Sequence, residues 1–326
     1  MFSYRSLLKQ SLNIAWKHKY LWFFGLFASL TAAGGSWEYH LLFGNLNRNL
    51  VNNLYSRLGD ILAFGDFLKN LWQGIISLFQ YDFWTILNVL SVLIVTAVLI
   101  LFIVWLAVSS QASLVDSVKK ILNLKKKILP LSVRDGLTVG HRHFWPVLCL
   151  NILTKAIIVG LLFIVCLPLL LMVIQGGTIL TIVYIVLFVI FVPLAAGLSL
   201  MVKYAIAYQV LDDYSFVASL EKGWKLFKKH WLVSLETAVI LFLVNFLVGL
   251  ALLLLIGVFL LPLLLLGILF ELGGLVILTM FLAIVLIIFI GSFLTTFQIS
   301  AWTGLFLQLS ETNVLAKLER LFRRRQ

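Results

Sequence analysis

The chain has 326 residues, of which 62% are apolar and only 12% are charged, and it carries a formal net charge of +12. Residues 246–270 contain no polar side chain, a run longer than the roughly 18 apolar residues that mark a membrane-spanning helix. Composition therefore excludes a soluble globular protein and predicts an integral membrane protein. The positive charge does not predict nucleic-acid binding, because it is confined to the edges of the hydrophobic segments.

A diglycine recurs at the end of three apolar segments, at 34–35, 176–177 and 273–274. The last two are each approached through Leu-Pro-Leu-Leu-Leu and followed at once by another apolar segment. This pattern predicts an all-α fold of six transmembrane helices in three tandem pseudo-repeated hairpins, each preceded by an amphipathic cytoplasmic interfacial helix. The predicted spans are about 20–34, 84–108, 145–174, 179–208, 232–266 and 275–307. The predicted repeats are 1–130, 131–213 and 214–326, the third with a basic amphipathic tail.

Each hairpin follows a short amphipathic segment, which we call an elbow. Residues 11–16 read Ser-Leu-Asn-Ile-Ala-Trp, 219–224 read Ser-Leu-Glu-Lys-Gly-Trp, and 132–137 follow the same outline. Apolar residues at helical spacing opposite a basic face predict helices that lie in the membrane interface and favour anionic headgroups. We expect the serine to act as an N-cap and the small residue before Trp or Leu to allow close approach to a neighbouring helix.

Lysine and arginine predict the orientation, since 21 of the 25 fall on the side of the elbows. The positive-inside rule then places both termini on the cytoplasmic side of the cell membrane. A cleaved signal peptide ending near Gly34 is the alternative, which the elbow in 4–16 disfavours. The residues predicted to contact anionic phospholipid headgroups are Lys119, Lys120, Lys125, Lys126, Lys127, Arg142, Lys225, Lys228, Lys229, Arg323, Arg324 and Arg325.

The first hairpin carries an insertion, 36–83, that the other two lack. Apolar residues in 64–79 keep the i, i+3, i+4, i+7 spacing of an amphipathic helix. We expect the insertion to lie on the outer leaflet or to cap the bundle.

Three polar residues in the spans, Lys155, Asn151 and Glu236, form a candidate intramembrane polar site. Lys155 lies about ten residues beyond the start of its span and so near the middle of the bilayer. A charge at that depth costs about 2.5–3.5 kcal/mol and normally faces the bundle interior or a partner. Asn151 shares its helix face, and Glu236 is the nearest carboxylate by depth. The group is either a transport or gating site, or a structural ion pair or snorkelling lysine.

No catalytic motif is present: the sequence has no His-Glu-x-x-His, no nucleophilic serine motif and no glycine-rich phosphate loop. His141 and His143, two residues apart, face different sides of a helix, so neither a metal nor another cofactor is predicted. The elbow, its basic residues and the hairpin that follows resemble multipass bacterial membrane proteins related to the membrane domain found beside glycerophosphodiester phosphodiesterases. The resemblance implies a membrane domain without catalytic residues, because that family's activity belongs to a separate soluble domain.

We therefore expect a non-enzymatic membrane-organising or partner-binding protein. Its expected partners are the lipid bilayer, anionic phospholipid headgroups, and another membrane protein or a second copy of the chain. The competing hypothesis is a small transporter or channel with a polar site near Lys155 and Asn151.

Overall fold

A computed structural model of the chain describes residues 4–30, 73, 83–123, 133–175 and 178–311, and these ranges contain helices and turns but no strand. The helices are α1 Tyr4–Lys17, α2 Leu21–Ala28, α3 Phe83–Asn123, α4 Val133–Arg142, α5 Phe144–Gln175, α6 Thr178–Leu211, α7 Phe216–Lys229, α8 Trp231–Leu255, α9 Leu261–Leu269 and α10 Gly273–Glu311. The chain divides into two compact units, Met1–Ala33 with Ala107–Gln326, and Gly34–Leu106.

Five stretches of the described helices are long and apolar enough to cross a membrane: Leu87–Asn123, Phe144–Pro168, Ile182–Leu211, Trp231–Leu269 and Gly273–Ser310. The prediction of an all-α membrane protein is confirmed to this extent: the described residues are helical, and five of the six predicted spans correspond to helices long and apolar enough to cross a membrane. Within the predicted span 20–34, the described helix α2 has 8 residues, or about 12 Å against a hydrocarbon core of about 30 Å. Most of the insertion 36–83, together with Lys125, Lys126, Lys127, Arg323, Arg324 and Arg325, lies outside the described residues.

The three elbows are helices α1, α4 and α7, and each leads into an apolar helix after a short turn. The turn has three residues between α1 and α2 and one residue in the other two cases. His18, His143 and His230 are the first residue of the respective turns. Each elbow is thus held within a few residues of the first turn of the apolar helix that follows it.

The predicted hairpin turn near the third diglycine is present, and it falls just before the glycines. The Leu272 N–H donates to the Gly267 carbonyl at 2.8 Å and the Glu271 N–H to the Ile268 carbonyl at 3.2 Å. Glu271 has a φ of 53°, so it takes the left-handed position of a Schellman motif that is usually occupied by glycine. Gly273 then begins α10.

A π-helical turn, Ile256–Leu260, joins α8 to α9 directly before Pro262. Proline has no N–H, and its ring collides with the carbonyl four residues earlier in a regular α-helix. The wider turn accommodates the ring, so α8 and α9 continue as a single apolar span, Trp231–Leu269.

Buried side chains concentrate in the halves of the long helices that adjoin the elbows. They include Ala107–Val118 in α3, Leu200–Val210 in α6 and Phe297–Leu309 in α10. Tyr204 is fully buried there, and its hydroxyl forms a 2.7 Å hydrogen bond with the Ser234 hydroxyl. We call this half of the bundle the elbow end. In the opposite half, the apolar side chains of α8, α9 and α10 are mostly exposed, as expected of a surface that lipid covers.

Candidate functional site

The elbow helices turn a stripe of small residues towards the bundle. The buried positions include Ser11 and Ala15 in α1, Gly136 and Gly140 in α4, and Ser219 and Gly223 in α7. In each helix the two small residues are four apart, so they lie on one face and let backbones approach closely.

The glycines in this stripe are in contact with neighbouring backbone or rings. A Cβ at Gly140 would overlap the Ser109 carbonyl oxygen of α3, and a Cβ at Gly223 would lie 3.0 Å from the Ala205 nitrogen of α6. At Gly136 it would lie 2.6 Å from the Phe24 ring. The prediction that the small residue of the elbow allows close approach is confirmed.

The prediction that the elbow serine caps its helix is wrong for Ser11 and Ser219, whereas the serine of the second elbow, Ser132, lies outside the described residues. The Ser11 hydroxyl donates to the Leu7 carbonyl at 2.9 Å, and the Ser219 hydroxyl donates to the Ser215 carbonyl at 2.8 Å. Both serines lie inside helices that begin several residues earlier, where the backbone N–H groups already have partners. The hydroxyl therefore bonds the carbonyl four residues back, as serine does in helix interiors.

A second face of α7 is apolar and exposed. Val217 and Trp224 are on this face, and Trp224 is 49% exposed. Leu12 and Trp16 form the matching exposed face of α1, where Trp16 is 65% exposed. Trp145 and Trp231, at the first turns of α5 and α8, are exposed as well. Tryptophan concentrates where hydrocarbon meets headgroups, and an exposed belt of this kind is typical of a membrane boundary.

Exposed lysines border this apolar face of α7, and Lys228 lies one turn beyond Trp224. Lys228 and Lys229 are exposed, and neither pairs with another residue in the described part of the chain. Lys225 is exposed too and forms an ion pair with Glu221 at 2.5 Å, which lowers the pKa of the Glu221 carboxyl. On α1, Arg5, Lys9 and Lys17 are likewise exposed. Arg5 and Lys9 were not among the predicted lipid contacts.

Other predicted lipid contacts are engaged in ion pairs at helix ends. Lys119 donates to the Leu211 carbonyl at 2.6 Å and lies 3.4 Å from Asp212, while Lys120 pairs with Asp116 at 2.7 Å. Arg142 lies 3.4 Å from Asp213. Lys119 therefore connects α3 to the end of α6, and Arg142 connects α4 to the turn after α6, whereas Lys120 pairs within α3.

The turn after α6 supplies two of these three acids, Asp212 and Asp213. Asp213 adopts a left-handed φ of 51°, and its carboxylate lies 2.8 Å from Nε2 of the buried His143. The hydrogen bond with His143 lowers the pKa of Asp213, and the charge of Arg142 contributes in the same direction. This turn thus connects the end of α6 to the junction between α4 and α5.

The expected pairing of Lys155 with Glu236 is wrong. Glu236 accepts a hydrogen bond from the Tyr4 hydroxyl of α1, and Asn151 donates from Nδ2 to Gln111 Oε1 of α3 at 2.9 Å. Lys155 is exposed on α5 and forms neither a hydrogen bond nor an ion pair with any described residue. Asn151 and Glu236 each have a nearer partner on another helix, and Lys155 is left on the surface of α5, from which its long side chain can extend towards water.

A groove of about 1,020 Å³ lies between α1 and α8, with Phe297 of α10 also in its lining. Eight of its twelve lining side chains are apolar, and the other four are Tyr4, Arg5, Lys9 and Glu236. This groove could not be predicted from the sequence, because it depends on how α1 packs beside α8 and α10. The amphipathic pattern of α1 alone does not specify that packing.

The chain matches no protein-family model, no curated protein and no solved structure. The resemblance to membrane domains found beside glycerophosphodiester phosphodiesterases therefore stays a prediction. Function has to be inferred from the geometry of the elbows and the groove.

Proposed function

We propose that the chain is a non-enzymatic integral membrane protein that organises the cytoplasmic leaflet by binding anionic phospholipids at its elbows. The supporting observation is the division of α7 between a buried face of small residues and an exposed side on which Val217 and Trp224 lie beside Lys228 and Lys229, neither of which has a described partner. An interfacial helix needs these faces to contact protein, hydrocarbon and headgroups at once.

Electrostatic attraction to anionic headgroups depends on the cations that are not paired with an acid of the chain. A lysine or arginine near an anionic membrane surface contributes about 1 kcal/mol to association. Lys119, Lys120 and Arg142 are engaged in ion pairs within the bundle, so they contribute less than the sequence indicates. The exposed lysines of α7 and the exposed cations of α1 are the better candidates.

The proposal includes the predicted topology of six spans in three tandem hairpins, with both termini in the cytoplasm. Its support is the recurrence of an elbow, a histidine turn and an apolar helix at three places along the chain. The orientation, with both termini in the cytoplasm, is supported by the positive-inside rule, because 21 of the 25 lysines and arginines fall on the side of the elbows.

The competing hypothesis of a transporter or channel has weaker support. Asn151 is hydrogen-bonded to Gln111, and Lys155 is exposed on the surface of α5. The cavity lined by Gln111, Lys203 and Thr303 holds only about 30 Å³, which is room for one or two water molecules.

Spin-labelled phospholipids test the proposal on the full-length protein in liposomes. The ratio of association constants for phosphatidylglycerol over phosphatidylcholine should fall in Lys228→Gln/Lys229→Gln by roughly fivefold for each charge removed. The matched Lys228→Arg/Lys229→Arg variant keeps both charges and should keep the wild-type ratio. Added salt should lower the ratio of the wild type. Equal ratios in both variants, unaffected by salt, would refute electrostatic lipid binding at this elbow.

A further inference from the structure

The groove between α1 and α8 has the length of one membrane leaflet. Its α8 wall runs from Leu232 to Val244, which is about 18 Å at 1.5 Å per residue. Half of the hydrocarbon core is about 15 Å thick. Leu232 is the second residue of α8 at the elbow end, so the groove extends from the level of the elbows to about the middle of the bilayer.

The polar side chains are gathered at one end of the groove. Tyr4, Arg5 and Lys9 are on the first turns of α1, and Glu236 is only five residues from the start of α8. Beyond Glu236, the lining of α8 is Val239, Ile240 and Val244. An occupant therefore meets charge at the elbow end and only apolar side chains further in.

The net charge at this end favours an anionic occupant. Arg5 and Lys9 are both exposed and form no hydrogen bond or ion pair with a described residue. The Glu236 carboxylate already accepts a hydrogen bond from Tyr4, so it has a partner within the chain. A phosphate beside Arg5 and Lys9 would form charge-assisted hydrogen bonds that neither cation makes at present.

We propose that this groove binds a single anionic phospholipid, with an acyl chain against Val239, Ile240 and Val244 and its phosphate beside Arg5 and Lys9. The inference rests on the proposed lipid-binding function and adds a defined site to it. A phospholipid fits because it combines one negative headgroup with a chain of one leaflet's length, and because the groove is lined by apolar side chains along that length.

Filling the groove tests the acyl-chain part of the inference. Native mass spectrometry of the full-length protein in detergent, with added phosphatidylglycerol, should show one tightly retained lipid. Leu235→Trp places a larger side chain in the groove lining and should reduce the retained lipid at least fivefold. Leu253→Trp is the matched control, because Leu253 is exposed on the same helix outside this lining. Equal retention of the lipid by the two variants would overturn the proposal. A wild-type dimer that Leu235→Trp dissociates and Leu253→Trp does not would also overturn it, since a second copy of the chain would then occupy the groove.

A photoreactive phosphatidylglycerol with a diazirine near the end of its acyl chain provides a test that needs no variant. The wild-type protein should be labelled at Val239, Ile240, Val244 or Phe297. Labelling spread evenly over the exposed apolar residues of α8 and α10 would contradict a defined site.

Substitution of the two cations, Arg5 and Lys9, distinguishes lipid binding in the groove from the general lipid binding of the elbows. Arg5→Gln/Lys9→Gln should weaken retention of phosphatidylglycerol roughly fivefold for each charge and weaken retention of phosphatidylethanolamine less, because its ammonium group offsets the charge of its phosphate. Lys228→Gln/Lys229→Gln should lower the selectivity of the surrounding lipid without releasing the lipid in the groove. If only the Lys228 and Lys229 variant has an effect, the groove site is wrong while the elbow function stands.

Discussion

Glu236 shows how the bundle keeps a carboxylate inside an apolar helix. It is half-buried in α8, and its hydrogen-bond donor is Tyr4 on the first elbow, 232 positions away in sequence. The sequence suggested Lys155 as the partner of Glu236, because it indicates only how deep each residue lies along its helix. Rotation about the helix axis decides which side chains meet, and it places Lys155 on an exposed face of α5.

We predict that Tyr4→Phe lowers the free energy of unfolding by about 1–2 kcal/mol, since it leaves a half-buried carboxylate without this donor. Unfolding in detergent across a double-mutant cycle with Glu236→Gln measures the coupling. Tyr4 and Glu236 should show an interaction energy above about 0.5 kcal/mol, whereas Lys155→Met and Glu236→Gln should be additive. The reverse result would restore the pairing of Lys155 with Glu236.

The lowered pKa of the Asp213 carboxyl predicts that the stability of the fold decreases at acid pH. Its pKa in the folded protein is below the ordinary value of 3.8, chiefly because of the hydrogen bond with His143. A group with a lowered folded pKa stabilises the fold above its unfolded pKa, and that contribution is lost as the pH falls through the folded value. Asp213 is 60% exposed, so the contribution is small.

Melting temperatures between pH 6 and pH 2.5 check this expectation. Asp213→Asn should flatten the fall in melting temperature at the acid end, because asparagine tolerates the left-handed φ but carries no charge. A carboxyl titration of Asp213 followed by NMR should have its midpoint below 3.8. A midpoint above that value would show that His143 does not hold the carboxylate.

Among the elements, each elbow packs small residues against the bundle, and we propose that its exposed side lies in the membrane interface. The sequence predicted their positions well, because serine, a small residue and tryptophan recur at fixed spacing in 11–16 and 219–224. It did not predict which apolar residues of α7 pack on protein: Val217 and Trp224 are exposed, whereas Leu220 and Phe227 pack against the core. Hydrophobic periodicity cannot distinguish a face that lipid covers from one that protein covers.

A glycine substitution tests this packing. Gly140→Ala should lower the free energy of unfolding by about 1–3 kcal/mol, because the added Cβ overlaps the Ser109 carbonyl oxygen and backbone has to move. Gly160→Ala is the control within the next helix, since nothing lies within 4 Å of its added Cβ. It should be neutral or stabilise by up to about 1 kcal/mol. Equal effects at the two sites would show that α4 is not packed closely on α3.

For the whole molecule, composition alone predicted a membrane-embedded all-α fold, because apolar runs of this length have no other stable environment. The third hairpin turn was predicted to within a few residues from its diglycine. The contacts at the elbow end, such as Asp213 with His143 and Asn151 with Gln111, could not be predicted. They join residues 40 to 70 positions apart, and no local pattern encodes which helices become neighbours.

Spin labels at three consecutive residues would test whether α7 lies in the membrane interface. Trp224 is on the exposed apolar face, Lys225 is exposed about 100° further round the helix, and Leu226 is buried. Single cysteines at these positions, in a full-length variant in which Cys149 and Cys166 are replaced by alanine, would carry spin labels in liposomes. Collision rates with oxygen and with a water-soluble nickel complex then report contact with hydrocarbon and with water.

We expect the label at 224 to collide mainly with oxygen, the label at 225 mainly with the nickel complex, and the label at 226 weakly with both. That sequence of three responses would establish α7 as an interfacial helix packed on the bundle. Equally strong collisions with the nickel complex at 224 and 225 would place the helix in water, and the account of the elbows as a lipid-binding layer would then be wrong.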